Sequence, residues 1–203
     1  MVRVASASEI HGGTMLAMKG RDSVVLAADS RFTSYRTGTF LLGQYPRLLF
    51  RVGERCIVGC IGLDSDARQL LVDVRDRVED QPRLEPASVA RVVSNALYRR
   101  RLMLSPMVCG MDTATGPYIC SMDGLGAQTE APFAVCGTAN AGLYAICESL
   151  YQPELGADEL CAVVERCVSL ALQRDVLSGC GVDLHVLHAD GRLEKRRLDT
   201  FDV

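Results

Sequence analysis

Residues 12–31 read Gly-Gly-Thr-Met-Leu-Ala-Met-Lys-Gly-Arg-Asp-Ser-Val-Val-Leu-Ala-Ala-Asp-Ser-Arg. Their reading decides the fold. Lys19-Gly20-Arg21-Asp22 supplies turn chemistry through Gly and Asp, so the flanking segments pair as a hairpin. The second segment, Val24 to Ala28, is apolar at every position, the pattern of a strand covered on both faces. It ends on three polar residues, Asp29-Ser30-Arg31. A buried strand that ends in fixed polar groups beside its partner's start is a good place to build a site.

Outward from the hairpin, residues 32–46 are rich in Thr, Tyr, Gly and Ser, and strands resume at Arg47–Val52 and Cys56–Ile61 around the turn Gly53-Glu54-Arg55. Two helices follow. Leu70, Leu71, Val74 and Val78 share one face, as do Val89, Val92, Val93, Ala96 and Leu97, with Pro86 placed for a first turn. Strand patterns return at Met107–Gly110, Tyr118–Met122 and Phe133–Cys136. A third helix carries Leu143, Ile146, Cys147 and Leu150, and a fourth Leu160, Val163, Val164, Cys167 and Ala171. Strands at Val182–Leu187 and Arg192–Leu198 close the chain around Ala189-Asp190-Gly191. Strands, two helices, strands, two helices, strands: this order predicts an α+β fold, a four-layer αββα sandwich of two antiparallel sheets between helical layers.

The chain has 203 residues, 48% of them hydrophobic, which suits one domain over 1–203. A net charge of −3 argues against a nucleic-acid or anionic-membrane surface. Residues 1–12 hold no apolar run of signal-peptide length and read as a short N-terminal extension. The nine cysteines are expected as reduced thiols acting as small hydrophobes in the cytoplasm or nucleus. None forms a Cys-x-x-Cys pair, and His185 and His188, three apart on a strand, face opposite sides. Neither a metal site nor a cofactor is expected.

The hairpin, with Ala27-Ala28-Asp29-Ser30-Arg31 at its end, resembles the N-terminal hairpin of proteasome β subunits, which have the N-terminal nucleophile hydrolase fold. The likeness covers roughly residues 12–198. Gly59-Cys60-Ile61-Gly62-Leu63-Asp64-Ser65-Asp66 resembles the family's glycine-containing strand end before its first helix. Cys136-Gly137-Thr138 resembles the entry to its third helix, and Arg174-Asp175-Val176-Leu177-Ser178-Gly179-Cys180-Gly181 its Arg-Asp-x-x-Ser-Gly-x-Gly loop. The segments Met15–Gly20, Ile119–Asp123 and Cys147–Tyr151 resemble a non-catalytic branch of the family.

In catalytic members the nucleophile is a Thr freed by cleavage after a Gly, with its own amine helping as base. The second-strand Asp follows that Thr by sixteen positions, which puts Gly13 in the nucleophile's place. Thr14 is one residue away. Strand alternation predicts that it faces the opposite side, as an ordinary strand residue. Asp29, Asp175 and Ser178 match polar residues that surround the Thr in active members. The family's Lys falls near Arg47, which cannot carry protons in its place. The family's Ser near the third helix falls on Cys136.

The resemblance therefore implies a degenerate site: Gly13, Asp29, Arg47, Cys136, Asp175 and Ser178, with no catalytic residue. Asp29, Asp175 and Ser178 also suit plain turn-bracing roles. The resemblance implies partners among α and β proteasome subunits, in a seven-membered ring stacked on others, with polypeptide substrates inside the chamber. Asp123 matches an acidic position in the wall of a neighbouring trypsin-like pocket, although Asp123-Gly124 is also a plain hairpin signal. The alternative is an active threonine endopeptidase using Thr14 after cleavage at Gly13.

Overall fold

The computed structural model describes residues 13–34, 40–44, 48–78, 81 and 83–199. Arg47 and the 1–12 extension lie outside the described residues. In chain order the elements are β1 (Thr14–Lys19), β2 (Ser23–Asp29), β3 (Arg31–Ser34), β4 (Phe40–Gln44), β5 (Leu48–Val52), β6 (Cys56–Gly62), α1 (Asp64–Val78) and α2 (Pro86–Arg100). Then come β7 (Leu104–Asp112), β8 (Gly116–Met122), β9 (Gln128–Glu130), β10 (Phe133–Gly137), α3 (Asn140–Leu150), α4 (Ala157–Leu172), β11 (Val182–His188) and β12 (Leu193–Leu198).

Two five-stranded antiparallel sheets carry the fold, ordered β10-β1-β2-β11-β12 and β5-β6-β7-β8-β9. The hairpin sits at the centre of the first. Met15 pairs with Ala28 and Lys19 with Val24, and the turn closes as the Gly20 amide donates to the Ser23 carbonyl at 2.9 Å. Alternation then sorts its side chains. Met15, Ala17, Val24, Leu26 and Ala28 join Ile57, Met107 and Ile119 in a layer between the sheets. Leu16, Met18, Val25 and Ala27 turn the other way, onto Leu143, Leu160 and Val164 of α3 and α4. The second sheet likewise backs onto α1 and α2 through Val58, Val108, Leu70, Val74, Val93 and Leu97. The four-layer αββα sandwich is what the sequence predicts.

Helix ends follow local chemistry. Pro86 opens α2, where its missing amide costs nothing. The Glu159 carboxylate reaches back to the Gly156 amide at 3.1 Å at the start of α4, half of a capping box. Two features escape the sequence patterns. Residues 32–46, read as a separator, include most of the β3–β4 pair, whose register shifts between Phe32 and Thr33. Three-residue β9 is too short for alternation to show. Among the described residues no helix is long and apolar enough to cross a membrane.

Candidate functional site

The site forms where four segments meet: the start of β1, the end of β2, the entry to α3, and the loop of residues 173–181 between α4 and β11. Gly13 precedes β1 with φ of 96°, outside strand geometry, and its carbonyl accepts from the Thr138 amide at 3.2 Å. Thr14 pairs across β1–β10 with Gly137, whose φ is 101°. A side chain at Gly137 would fall onto the Gly13 carbonyl, with its Cβ 2.8 Å from the Thr14 Cα. Only glycine meets both demands at 137.

Asp29 ends β2 fully buried. Its Oδ1 accepts from the Thr14 amide at 2.8 Å and its Oδ2 from the Gly179 amide at 2.7 Å. One carboxylate thereby ties the first strand to the 173–181 loop. The Ser30 amide adds to the seam by donating to the Gly179 and Gly181 carbonyls, and Arg31 Nη1 donates to the Val176 carbonyl at 2.9 Å.

Beside this seam runs a chain of hydroxyls. Thr14 Oγ1 lies 2.8 Å from Ser178 Oγ, and both side chains are buried. Ser178 Oγ donates to Asp175 Oδ2 at 2.7 Å, Thr138 Oγ1 donates to the same oxygen, and Asp175 Oδ1 accepts from the Leu177 amide at 3.0 Å. A hydroxyl has one proton. With the Ser178 proton directed at Asp175, the Thr14–Ser178 contact must use the Thr14 proton. The remaining acceptor capacity of Thr14 Oγ1 takes the Ala139 amide at 3.1 Å. That amide lies at the entry to α3, where Ala139 has no side chain to cap with. Thr14 is thus both a donor into the chain of hydroxyls and a cap for the third helix.

Two expectations need correction. Thr14 does not face away from Asp175 and Ser178 as an ordinary strand residue, because strand alternation cannot be extended backward through Gly13. The strand begins at Thr14, and its side chain enters the cluster while Gly13 contributes only backbone. Cys136 does not stand among the hydroxyls. Alternation along β10 sends it toward the second sheet, where its thiol meets the Ser105 carbonyl at 3.8 Å. Thr138, just past the strand, supplies a hydroxyl instead. The signal for it was present in the sequence, as a Thr directly after Gly137. Asp29, Asp175 and Ser178 do come together. Arg47 falls outside the described residues.

Asp123 lies apart, in the β8–β9 connection. Its Oδ1 accepts from the Leu125 and Ala127 amides, each at 2.9 Å. The Ala127 and Leu125 donors hold the exposed carboxyl below the usual carboxylate range.

What the cluster can do follows from its protons. Thr14 donates its backbone N–H to Asp29 and its hydroxyl proton to Ser178, which donates in turn to Asp175. The arrangement knits β1, α3 and the 173–181 loop together.

Comparison with known proteins agrees with this architecture. A family model described as "Proteasome subunit" matches residues 10–187. The chain is similar to a probable proteasome subunit beta type-3 of Schizosaccharomyces pombe, at 32% identity over 96% of this chain and 100% of the relative. It is similar to the proteasome subunit beta type-3 of Saccharomyces cerevisiae, at 32% identity over 90% and 92% of the two chains. The proteasome subunit beta type-3 of Dictyostelium discoideum is 29% identical over 95% and 97%. Fold, site layout and these matches agree that the chain belongs to the proteasome subunit family.

Proposed function

We propose that this chain is a non-catalytic β subunit of the core proteasome. In this reading it takes one place in a seven-membered β ring, stacked on a second β ring and on outer α rings. It holds threonine-protease neighbours in register while they degrade polypeptides in ATP- and ubiquitin-linked turnover, in the cytoplasm and nucleus. Its partners are other α and β subunits and the substrate chains in the chamber, with no nucleic acid or membrane among them.

The observation that carries this reading is what stands at the nucleophile's place. Gly13, sixteen positions before Asp29, has no side chain, and the neighbouring Thr14 hydroxyl is taken up in capping α3 through the Ala139 amide. The sequence matches support the same reading, since the family's Lys falls near Arg47 and its Ser near the third helix falls on Cys136. Asp123 is proposed in addition to line the trypsin-like pocket of the adjacent subunit, where its charge would attract a basic side chain.

The test is the intact mass of this subunit within the native assembled particle. A mass that includes residues before Thr14, allowing for loss of Met1 and acetylation, is the expected result. A chain beginning at Thr14 would show a freed amine and overturn the non-catalytic reading in favour of an active endopeptidase.

A further inference from the structure

Seven large apolar side chains are exposed among the described residues, and three of them, Tyr98, Met103 and Leu125, are brought to one place. Tyr98 stands near the end of α2, one turn after Ser94. Ser94 Oγ donates to the Gly126 carbonyl at 2.7 Å, which lays the β8–β9 connection against α2. Gly124 lies over the link from α2 to β7, where a Cβ would stand 3.7 Å from the Leu102 and Leu104 carbonyl oxygens. Leu125 is thus held between the end of α2 and the segment that carries Met103. Single exposed apolar residues are ordinary, but a group of them on one face marks a surface built to be covered.

The backbone beneath these side chains is fixed. Asp123 Oδ1 holds the Leu125 and Ala127 amides, and the Gly126 amide donates to the Asp123 carbonyl at 3.0 Å. Gly126 packs so closely on Ser94 that a Cβ would meet the Ser94 carbonyl oxygen at 2.6 Å. The Met103 amide donates to Asp66 Oδ2 at 2.8 Å, and its carbonyl accepts from the Leu63 amide at 3.1 Å. Leu125, 57% exposed, and Met103, 45% exposed, therefore project from rigid supports, so docking costs little in backbone freedom. Arg101 adds charge at the edge. Its guanidinium carbon lies 5.1 Å from the centroid of the Tyr98 ring, itself 63% exposed, and it has no carboxylate partner among the described residues. Tyr, Met and Arg are side chains enriched where proteins meet.

We infer that Tyr98, Met103 and Leu125, with Arg101 at their edge, form the docking face for the adjacent β subunit, the one whose pocket Asp123 is proposed to line. This assignment rests on the non-catalytic subunit reading. It follows from the loop itself: Leu125 is two residues from Asp123 and its amide is held by the Asp123 carboxylate, so a neighbour reached by Asp123 lies over Leu125 too. The partner presents an apolar surface with a carboxylate placed for Arg101. Asp123 then has a second role as a positioning residue, bracing the segment that docks.

Hydroxyl-radical footprinting of the unmodified chain in its native particle tests whether the face is covered. Met103 is expected to oxidise as slowly as Met107, which is fully buried between the sheets. Fast oxidation of Met103 with Met107 protected overturns the inference and leaves the subunit reading standing, since the chain was recovered in the particle. Native particles that lack the chain overturn both. The covering subunit is identified by replacing Tyr98 with the photo-crosslinker p-benzoylphenylalanine and sequencing the linked peptide by mass. A link to the β subunit with trypsin-like activity is expected. A link to an α subunit, or to a β subunit of the other ring, overturns the assignment. The footprint of the unmodified chain stands even where the replaced chain fails to assemble.

Discussion

The hydroxyls of Thr14 and Ser178 stand 2.8 Å apart although 164 positions separate them in the chain. The contact joins the first strand of one sheet to the loop between the fourth helix and β11. With Asp29 bridging the Thr14 and Gly179 amides alongside, it fixes the ends of two inner strands to the 173–181 loop. The residues that would surround a nucleophile here serve as fasteners.

Removing that fastener should cost stability and leave peptidase activity alone. Thr14→Val deletes the hydroxyl and strands the Ala139 amide, which costs about 1–3 kcal/mol. A lower denaturant midpoint of the isolated chain, with unchanged cleavage by reassembled particles, is expected. Complete loss of one cleavage specificity in fully assembled particles would contradict a non-catalytic chain.

Gly137→Ala should be worse. The added carbon meets the Gly13 carbonyl and the Thr14 Cα, and φ at 137 is 101°. A loss of about 3 kcal/mol or more is expected, read as a lower thermal midpoint or as failure to enter particles. A neutral result would show that β1 and β10 can separate at this point.

Charge and bracing at Asp123 can be separated by two substitutions. Asp123→Asn keeps an oxygen for the Leu125 and Ala127 amides, whereas Asp123→Ala does not. If the carboxylate attracts a basic side chain, both variants weaken cleavage after Lys and Arg in the particle and spare other specificities. Equal activity of the Asn variant and the unmodified protein would reduce Asp123 to a turn residue.

His185 gives an acid-side prediction. It is buried on β11, opposite Leu26 and Lys195, and its Nδ1 has no hydrogen-bond partner. Burial, aided by Lys195 and opposed by Asp183, lowers its pKa below the ordinary value of 6.5. Between the folded and unfolded pKa values the unfolded chain binds the extra proton, so stability falls as pH drops through the range below about 6.5. Chemical denaturation at about pH 7.5 and about pH 5.5 should show a larger loss for the unmodified chain than for His185→Leu. Equal losses would place the acid sensitivity elsewhere.

Much of this was legible in sequence because it rests on periodicity. The apolar run Val24 to Ala28 and the helical spacing of Leu70, Val74 and Val78 fix the layers whatever their neighbours do. The 173–181 loop was legible through its resemblance to the family's Arg-Asp-x-x-Ser-Gly-x-Gly motif, with Asp175 three residues before Ser178. Thr14 was not, since its direction depends on where strand geometry begins. A glycine at φ of 96° breaks the count in a way that residue types do not reveal. Thr138 was hidden by its neighbour: Cys136 occupies the motif position, but the pleat of β10 turns that side chain between the sheets. The β3–β4 pair was obscured by a register shift and by the Thr-, Tyr-, Gly- and Ser-rich stretch that contains it.

The layering also sets how damage spreads. Leu70 belongs to the apolar layer under α1 and α2, and Leu160 to the layer under α4, with two sheets between them. Each truncation to Ala should cost about 2–5 kcal/mol alone. With no shared neighbours the losses should sum in the double variant, because strain in one outer layer reaches the other only through the central one. The chain behaves as three cores in series, and a lesion in one outer core leaves the other's packing untouched until the whole molecule unfolds.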